Sequence, residues 1–157
     1  MKLYRIARAE FASDLSGRGG LLSPARWHNF MPVLYTSVQS STCILEKLVH
    51  LEPDEIHHDL EMVEILVPDA ASFLSVAVED LPVNWSNYPA PRVLEKIGNT
   101  WLSSMRSLLL YVPSVCDPFS KNVLVNPAHE EAAALKILSI SPFRFDKRLY
   151  NIKAKKP

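Results

Sequence analysis

The sequence is poor in the residues that build covalent or metal frameworks. It has two cysteines among 157 residues, Cys43 and Cys116, and they show no CxxC spacing. Neither a disulfide framework nor a cysteine zinc site is predicted, and free thiols are typical of a reducing compartment. The five histidines include no HxxxH pair and no cysteine at ligand spacing, so no metal site is predicted.

An excess of positive charge is also absent. Lys plus Arg number 17 and Asp plus Glu number 17, so the formal net charge is zero. Proteins that grip nucleic acid through its phosphates carry excess Lys and Arg, so this balance argues against direct nucleic-acid binding. Four arginines still fall in the first part of the chain and can attract a small anion there. They are Arg5, Arg8, Arg18 and Arg26.

Long apolar runs are missing as well. No run approaches the roughly 18 residues needed to cross a bilayer. The opening residues MKLYRIARAEF lack the apolar region of a secretory signal. Together with the free thiols, these features predict a cytoplasmic protein that makes no membrane contact.

What the chain does have is the composition of an ordinary globular domain. Apolar residues are 48% and charged residues 22%. A chain of this length buries roughly 70% of the surface that it exposes when unfolded, which is enough for one core. We therefore predict a single domain over residues 1–150 and a short basic tail over residues 151–157.

Periodicity predicts about seven strands and three helices spread along the chain, which indicates an α+β sheet core. The strand patterns lie in eight segments, the fourth of them short: KLYRIAR, PVLYTSV, EMVEILVP, LSVAVE, SLLLYVPS, KNVLV, LKILSI and FRFDKRLY. Helices are predicted in QSSTCILEKLVHLE, capped by Ser40 or Ser41, in PRVLEKIGNTWLSSMR, and after Asn126 with Pro127 at the first helical position. The loop SDLSGRGGLLSPARW holds three of the four glycines, so its backbone can approach a ligand closely.

Four residues are awkward to explain by structure. Arg26 stands beside Trp27, Tyr35 lies inside a strand, Glu46 lies on the polar face of a helix, and Ser114 ends a buried strand. Each also has an ordinary explanation: a surface charge, a half-buried aromatic, a solvated carboxylate and a turn former. The residues alone leave both readings open, one shared site or four unrelated roles.

The same residues lie in segments that resemble a known family along nearly the whole chain. The segments are LYRIAR, LSGRGGLLSPARWH, PVLYTSVQSSTCILEKLVHL, DLPVNW, IGNTWL, LLLYVPS, NVLVNPAHEE and FRFDKRLY. They resemble, in order, the RES domain, which is named for its Arg, Glu and Ser. This family supplies the toxin of bacterial Xre–RES type II toxin–antitoxin systems.

The resemblance implies a fold, an activity and a partner. The expected fold is ADP-ribosyltransferase-like, with two small β-sheets packed together and flanking helices around an NAD cleft. The expected activity is cleavage of the nicotinamide–ribose bond of NAD, by hydrolysis or phosphorolysis, which arrests growth. NAD would be the substrate, with no retained cofactor. An Xre-type antitoxin would cover the site, and the chain is also compatible with a homodimer.

The resemblance also assigns site residues. Arg26, Tyr35, Glu46 and Ser114 are the expected catalytic residues. Arg26 would hold a phosphate or ribose oxygen, Tyr35 would stack on nicotinamide, and Glu46 would face the ribose. Ser114 would orient Glu46 or the ribose. The other expected NAD-binding residues are Arg5, Gly19, Gly20 and Asn126, with the two glycines offering backbone amides to the phosphates.

Three other functions remain open at this point. The same NAD-binding groups would serve an ADP-ribosyltransferase that modifies a cellular protein. A ribonuclease-type toxin would use Arg26, His28 and Glu46 on a phosphodiester. A non-enzymatic interaction module would use the aromatic residues alone. For His28 itself we expect a structural hydrogen bond rather than a catalytic role.

Overall fold

A computed structural model describes residues 1–51 and 59–149 of the chain. The basic tail predicted over residues 151–157 lies outside these ranges, as do His57 and His58. Seven strands form the sheet of the described residues. They are β1 Lys2–Arg8, β2 Leu34–Ser37, β3 Leu60–Leu66, β4 Phe73–Ser75, β5 Leu109–Pro113, β6 Lys121–Val125 and β7 Lys136–Phe143.

The seven strands form one continuous sheet in the order β4-β5-β6-β2-β1-β3-β7. Only β4 and β5 run parallel; all other neighbours are antiparallel. The prediction of an α+β fold is confirmed, but the prediction of two separate sheets is wrong. The reason lies at the centre, where β1 and β2 are joined by the single pair Tyr4 and Ser37. The strands on either side of this short junction form two halves, which the junction joins into one sheet.

The helices of the described residues are α1 Gly19–Leu22, α2 Ser40–Val49 and α3 Arg92–Ser104. None of them is both long and apolar enough to span a bilayer. The residue that caps α2 is Gln39, without a side-chain hydrogen bond, so the prediction of Ser40 or Ser41 is wrong. The helix predicted after Asn126 is a 3-10 turn at Glu130–Ala134, and the strand predicted in FRFDKRLY ends at Phe143.

The half of the sheet made by β4, β5, β6 and β2 has an apolar core on each face. One core contains Leu110, Val112 and Leu124 of the sheet, packed against Trp27 and against Leu94, Trp101 and Leu102 of α3. The opposite core contains Leu3, Leu34, Val67, Leu108, Leu109, Val123 and Val125. Because β5 and β6 are apolar on both faces, they are buried strands, as the continuous run SLLLYVPS predicts.

Helix α3 approaches the chain before β2 unusually closely. Its apolar residues recur at helical spacing, and Gly98 lies among them on the buried side. A Cβ atom built on Gly98 would stand 1.7 Å from the carbonyl oxygen of Trp27. Glycine therefore lets the backbone at Trp27 lie directly against the helix, and this contact positions the neighbouring Arg26.

Candidate active site

The Glu46 carboxylate lies at the centre of a polar cluster. Its Oε1 atom accepts a hydrogen bond of 2.6 Å from the Ser114 hydroxyl and another of 2.6 Å from the Asn122 amide. Glu46 projects from α2, Ser114 follows the last residue of β5, and Asn122 lies in β6. Three segments that are distant in the sequence thus meet at one carboxylate. The predicted pairing of Glu46 with Ser114 has this geometry.

Asn122 is a member of the cluster that the sequence reasoning missed. It lies directly opposite Ser37 across the β2–β6 ladder. The Ser37 hydroxyl donates to Asn122 Oδ1 at 2.7 Å. With its oxygen accepting from Ser37, the amide nitrogen faces the Glu46 carboxylate. The signal in the sequence was weak, one polar residue at the start of KNVLV.

The loop that follows β5 is tied to α2 beside the carboxylate. The Ser114 oxygen accepts hydrogen bonds from the backbone amides of Cys116 at 3.1 Å and Asp117 at 3.0 Å. The Asp117 carboxylate accepts a hydrogen bond of 2.8 Å from the buried Thr42 hydroxyl in the first turn of α2. Ser114 is itself only 2% exposed. These contacts hold the serine so that its hydroxyl proton points at Glu46.

Neither cysteine is activated as a nucleophile. Burial, helped by the charge of Glu46, raises the pKa of Cys116 to about 11. Burial raises the pKa of Cys43 to about 12. Because the thiolate is the reactive form, both cysteines stay inert thiols near neutral pH.

Within residues 1–51 and 59–149, no three His, Cys, Asp or Glu side chains gather as a metal site.

Arg26 lies within electrostatic reach of Glu46 and Tyr35. Its guanidinium donates to the carbonyl oxygen of Trp85, and to that of Asn87 at 3.2 Å. Both acceptors are neutral main-chain oxygens, so these two bonds leave the positive charge of Arg26 uncompensated. Burial lowers the pKa of Arg26 and the charge of Glu46 opposes that shift. A half-buried arginine in this setting is suited to hold an anionic ligand.

Tyr35 and His28 form a hydrogen-bonded pair behind Arg26. Two carbonyl oxygens, of Gly20 and Ser23, lie 3.1 Å from His28 Nε2, so that nitrogen carries the proton. His28 Nδ1 then accepts from the Tyr35 hydroxyl at 3.0 Å. The Tyr35 oxygen also accepts from the Trp27 amide at 3.2 Å. The structural hydrogen bond expected for His28 is confirmed, and burial raises the pKa of Tyr35, so its phenol stays neutral.

This buried pair makes the fold sensitive to acid. Burial lowers the pKa of His28 below 6.5, so the unfolded chain binds a proton that the folded chain resists. The free energy of unfolding should therefore fall as the pH drops below about 6.5, by at most about 1.4 kcal/mol per pH unit. Urea unfolding measured at a series of pH values tests this.

The variant His28→Gln should flatten that pH dependence, and His50→Gln, outside the Tyr35 pair, is the matched control. Should His28→Gln fail to fold, an NMR titration of the His28 ring in the unmodified chain replaces it. A His28 ring that gains its proton at or above pH 6.5 would contradict the prediction.

Three of the residues predicted to bind NAD have structural contacts in the fold. The Arg5 guanidinium donates to the carbonyl oxygens of Asp14 at 2.7 Å and Phe11 at 2.9 Å. Asn126 is 1% exposed, and its amide donates to the carbonyl oxygen of Leu102 at 2.9 Å while its oxygen caps the next turn. Both side chains hold loops in place. A role of Arg5 and Asn126 in binding NAD stays a prediction.

The third of these residues is Gly20. Its amide donates to the carbonyl oxygen of Gly17 at 3.0 Å, so it is not available to a phosphate. A Cβ atom there would lie 2.2 Å from the carbonyl oxygen of Met31, which explains the glycine as a packing residue. Gly19 is exposed with open space around it, and its role stays a prediction.

A pocket of about 500 Å³ lies elsewhere, between α3 and the loop before β2. Its lining residues are Pro24, Asn29, Arg92, Glu95, Lys96 and Asn99. None of them belongs to the Glu46 cluster. The candidate site therefore rests on the hydrogen bonds and charges of the Glu46 cluster and not on this pocket.

The cluster and the fold together define a class: a small α+β protein with an enzyme-like site around one carboxylate. Comparison with known proteins then identifies the family. The family description "RES domain" matches residues 2–146. The chain belongs to the RES domain family, as its resemblance indicated.

Relatives and a solved structure agree with this assignment. The Prs ADP-ribosylating toxin of Sphingobium sp. is 36% identical over 146 residues, which cover 91% of each chain. The toxin Res of Yersinia enterocolitica is 35% identical over 153 residues, 95% of this chain and 99% of that protein. A chain of the M. tuberculosis MbcT–MbcA toxin–antitoxin complex has the same fold, with a TM-score of 0.74 at 15% identity. That match covers 96% of this chain and 87% of the other.

Proposed function

We propose that the chain is the toxin of a toxin–antitoxin pair and cleaves the nicotinamide–ribose bond of NAD. The observation that carries the proposal is the Glu46 carboxylate, held by Ser114 and Asn122 and within electrostatic reach of Arg26. Relatives named as toxins, one of them ADP-ribosylating, support the same reading.

The chemistry suits these groups. Breaking the nicotinamide–ribose bond places positive charge on the sugar and releases a neutral base. A fixed carboxylate stabilises that charge, and no strong acid is required. The two donors at Oε1 hold Glu46 before the substrate arrives, so little reorganisation is needed at the moment of reaction. Ser114 acts by orienting this carboxylate.

The remaining groups would bind the dinucleotide. Arg26 provides a fixed positive charge for the pyrophosphate or a ribose oxygen. Tyr35, whose hydroxyl is occupied by His28 and Trp27, offers its ring rather than its hydroxyl to the nicotinamide. NAD would be consumed as a substrate, so no cofactor would be retained.

Transfer of ADP-ribose to a cellular protein is the second candidate. The name of the Sphingobium relative, an ADP-ribosylating toxin, favours it. The bond that breaks and the groups around it are the same in both cases. Only the acceptor differs: water, phosphate or a protein side chain.

We also propose that an Xre-type antitoxin covers the site. Apolar side chains stand almost fully exposed on the two loops that border the cluster. Val83 and Tyr88 lie on the loop held by Arg26, and Phe119 lies on the loop after Ser114. Exposed apolar side chains grouped around a polar site are typical of a protein-binding surface. A partner seated on them would close off Glu46.

Product analysis tests the proposal. The purified chain, incubated with NAD, should release nicotinamide, and chromatography should identify the second product. Free ADP-ribose indicates hydrolysis, a phosphorylated ADP-ribose indicates phosphorolysis, and label on protein in a cell lysate indicates transfer. NAD that stays intact with phosphate, without phosphate and with lysate would overturn the proposal. Adding purified antitoxin should suppress the release.

A further inference from the structure

We propose that Asn122 is a positioning residue for the Glu46 carboxylate, with Ser37 holding the far end of its amide. The Asn122 nitrogen donates to Glu46 Oε1 at 2.6 Å, as short as the bond from Ser114. Bonds of this kind to an ionised acceptor are shorter and stronger than those between neutral groups. Two donors on one oxygen fix where the carboxylate can point.

The strand geometry explains why the asparagine can do this. Ser37 and Asn122 are cross-strand partners, and Ser37 is only 2% exposed. Its hydroxyl donates to Asn122 Oδ1, and a flipped amide would place the amide oxygen against the Glu46 carboxylate, which can only accept. The sheet therefore places the amide beside Glu46, and the carboxylate sets which end of the amide faces it.

Each variant of Asn122 is compared with the unmodified chain at every pH, so a contribution from His50, one turn further along α2 from Glu46, is common to both. Other groups within electrostatic reach of Glu46 are Arg26, Tyr35, Cys43 and Cys116. Arg26 stays charged, and burial raises the pKa of the other three, so all keep one charge state between about pH 5 and about pH 8. A carboxyl group introduced at position 122 would thus dominate any new pH dependence.

The kinetic test rests on the proposed NAD cleavage and compares two substitutions. Asn122→Ala should lower kcat for nicotinamide release by about ten- to a hundredfold at every pH, because one charge-assisted donor is lost. Asn122→Asp should approach the unmodified rate at acid pH, where the two carboxyl groups share a proton and one donates to the other. Its rate should fall as the pH rises and that proton leaves.

If Asn122 had a merely structural role, kcat of both variants would be lowered by a factor that does not change with pH. This result would overturn the proposal. The exposed neighbour Lys121, replaced by alanine, is the matched control and should keep its rate. Melting temperatures of all variants show whether they fold.

An NMR measurement keeps the proposal testable if the chain leaves NAD intact. The Asn122 side-chain NH₂ resonance should lie downfield in the unmodified chain and move upfield in Glu46→Gln, where the acceptor loses its charge. An Asn122 resonance with the same chemical shift in Glu46→Gln would show that the hydrogen bond between Asn122 and Glu46 does not exist. If the chain releases no nicotinamide but the NMR shift is observed, the proposed NAD cleavage is wrong and the contact between Asn122 and Glu46 stands.

Discussion

Replacing Glu46 by glutamine is expected to lower nicotinamide release from NAD by about a thousandfold. The substitution keeps the shape of the side chain and removes its negative charge. Glutamine Oε1 can still accept hydrogen bonds from Ser114 and Asn122, so the cluster should stay assembled. What disappears is the charge that stabilises the developing cation on the ribose. Initial rates of nicotinamide release measure the effect.

The matched control for this substitution is Glu130→Gln, an exposed glutamate in a 3-10 turn of the other end of the chain. It should keep the unmodified rate. The melting temperature of Glu46→Gln should lie near that of the unmodified chain. A folded Glu46→Gln protein with a nearly unchanged rate would rule out the carboxylate as the group that stabilises the transition state.

The second large effect is expected from Gly98→Ala. In an exposed helix interior this change gains about 1 kcal/mol, because alanine is the better helix former. Here the new methyl group would stand 1.7 Å from the Trp27 oxygen and 2.7 Å from its carbonyl carbon, both backbone atoms. Either α3 or the chain before β2 must move. We expect a loss of about 2 to 3 kcal/mol in the free energy of unfolding, measured in urea.

The same substitution should weaken the site, because Arg26 directly precedes Trp27. The folded fraction of Gly98→Ala should show a raised KM for NAD with a smaller change in kcat. Gly19→Ala is the control for stability, since a Cβ atom at Gly19 meets nothing within 4 Å. A Gly98→Ala protein as stable as the unmodified chain would show that the close contact of α3 with Trp27 is not required.

Much of the local structure follows from short sequence patterns. The alternation in KLYRIAR and the apolar run in SLLLYVPS predict β1 and β5, and the structure has strands there. Helical spacing after Pro91 predicts α3, which begins at Arg92. The wrong predictions fall where the chain turns: at Gln39, after Asn126 and beyond Phe143. Turns are set by contacts with other segments, which local patterns do not contain.

The candidate site divides in a similar way. Arg26, Tyr35, Glu46 and Ser114 were selected because their residue types fit the chemistry and because the chain resembles a family. Arg5 and Asn126 were selected on the same grounds, and like Arg26 they donate to main-chain oxygens. What separates Arg26 is its electrostatic reach to Glu46. Residue type does not reveal whether a side chain is already occupied. That depends on which loop lies beside it in the folded chain.

By itself the sequence determined the fold class and the family. Composition, periodicity and the order of the family segments are properties of the sequence alone and do not depend on the folded structure. Only the tertiary structure decided that Asn122 and Ser37 support Glu46, that Gly98 supports Arg26, and that the strands join in one sheet. Each of these depends on atoms within about 3 Å that belong to segments far apart in sequence, and hydrogen bonding and steric contact act only at that range.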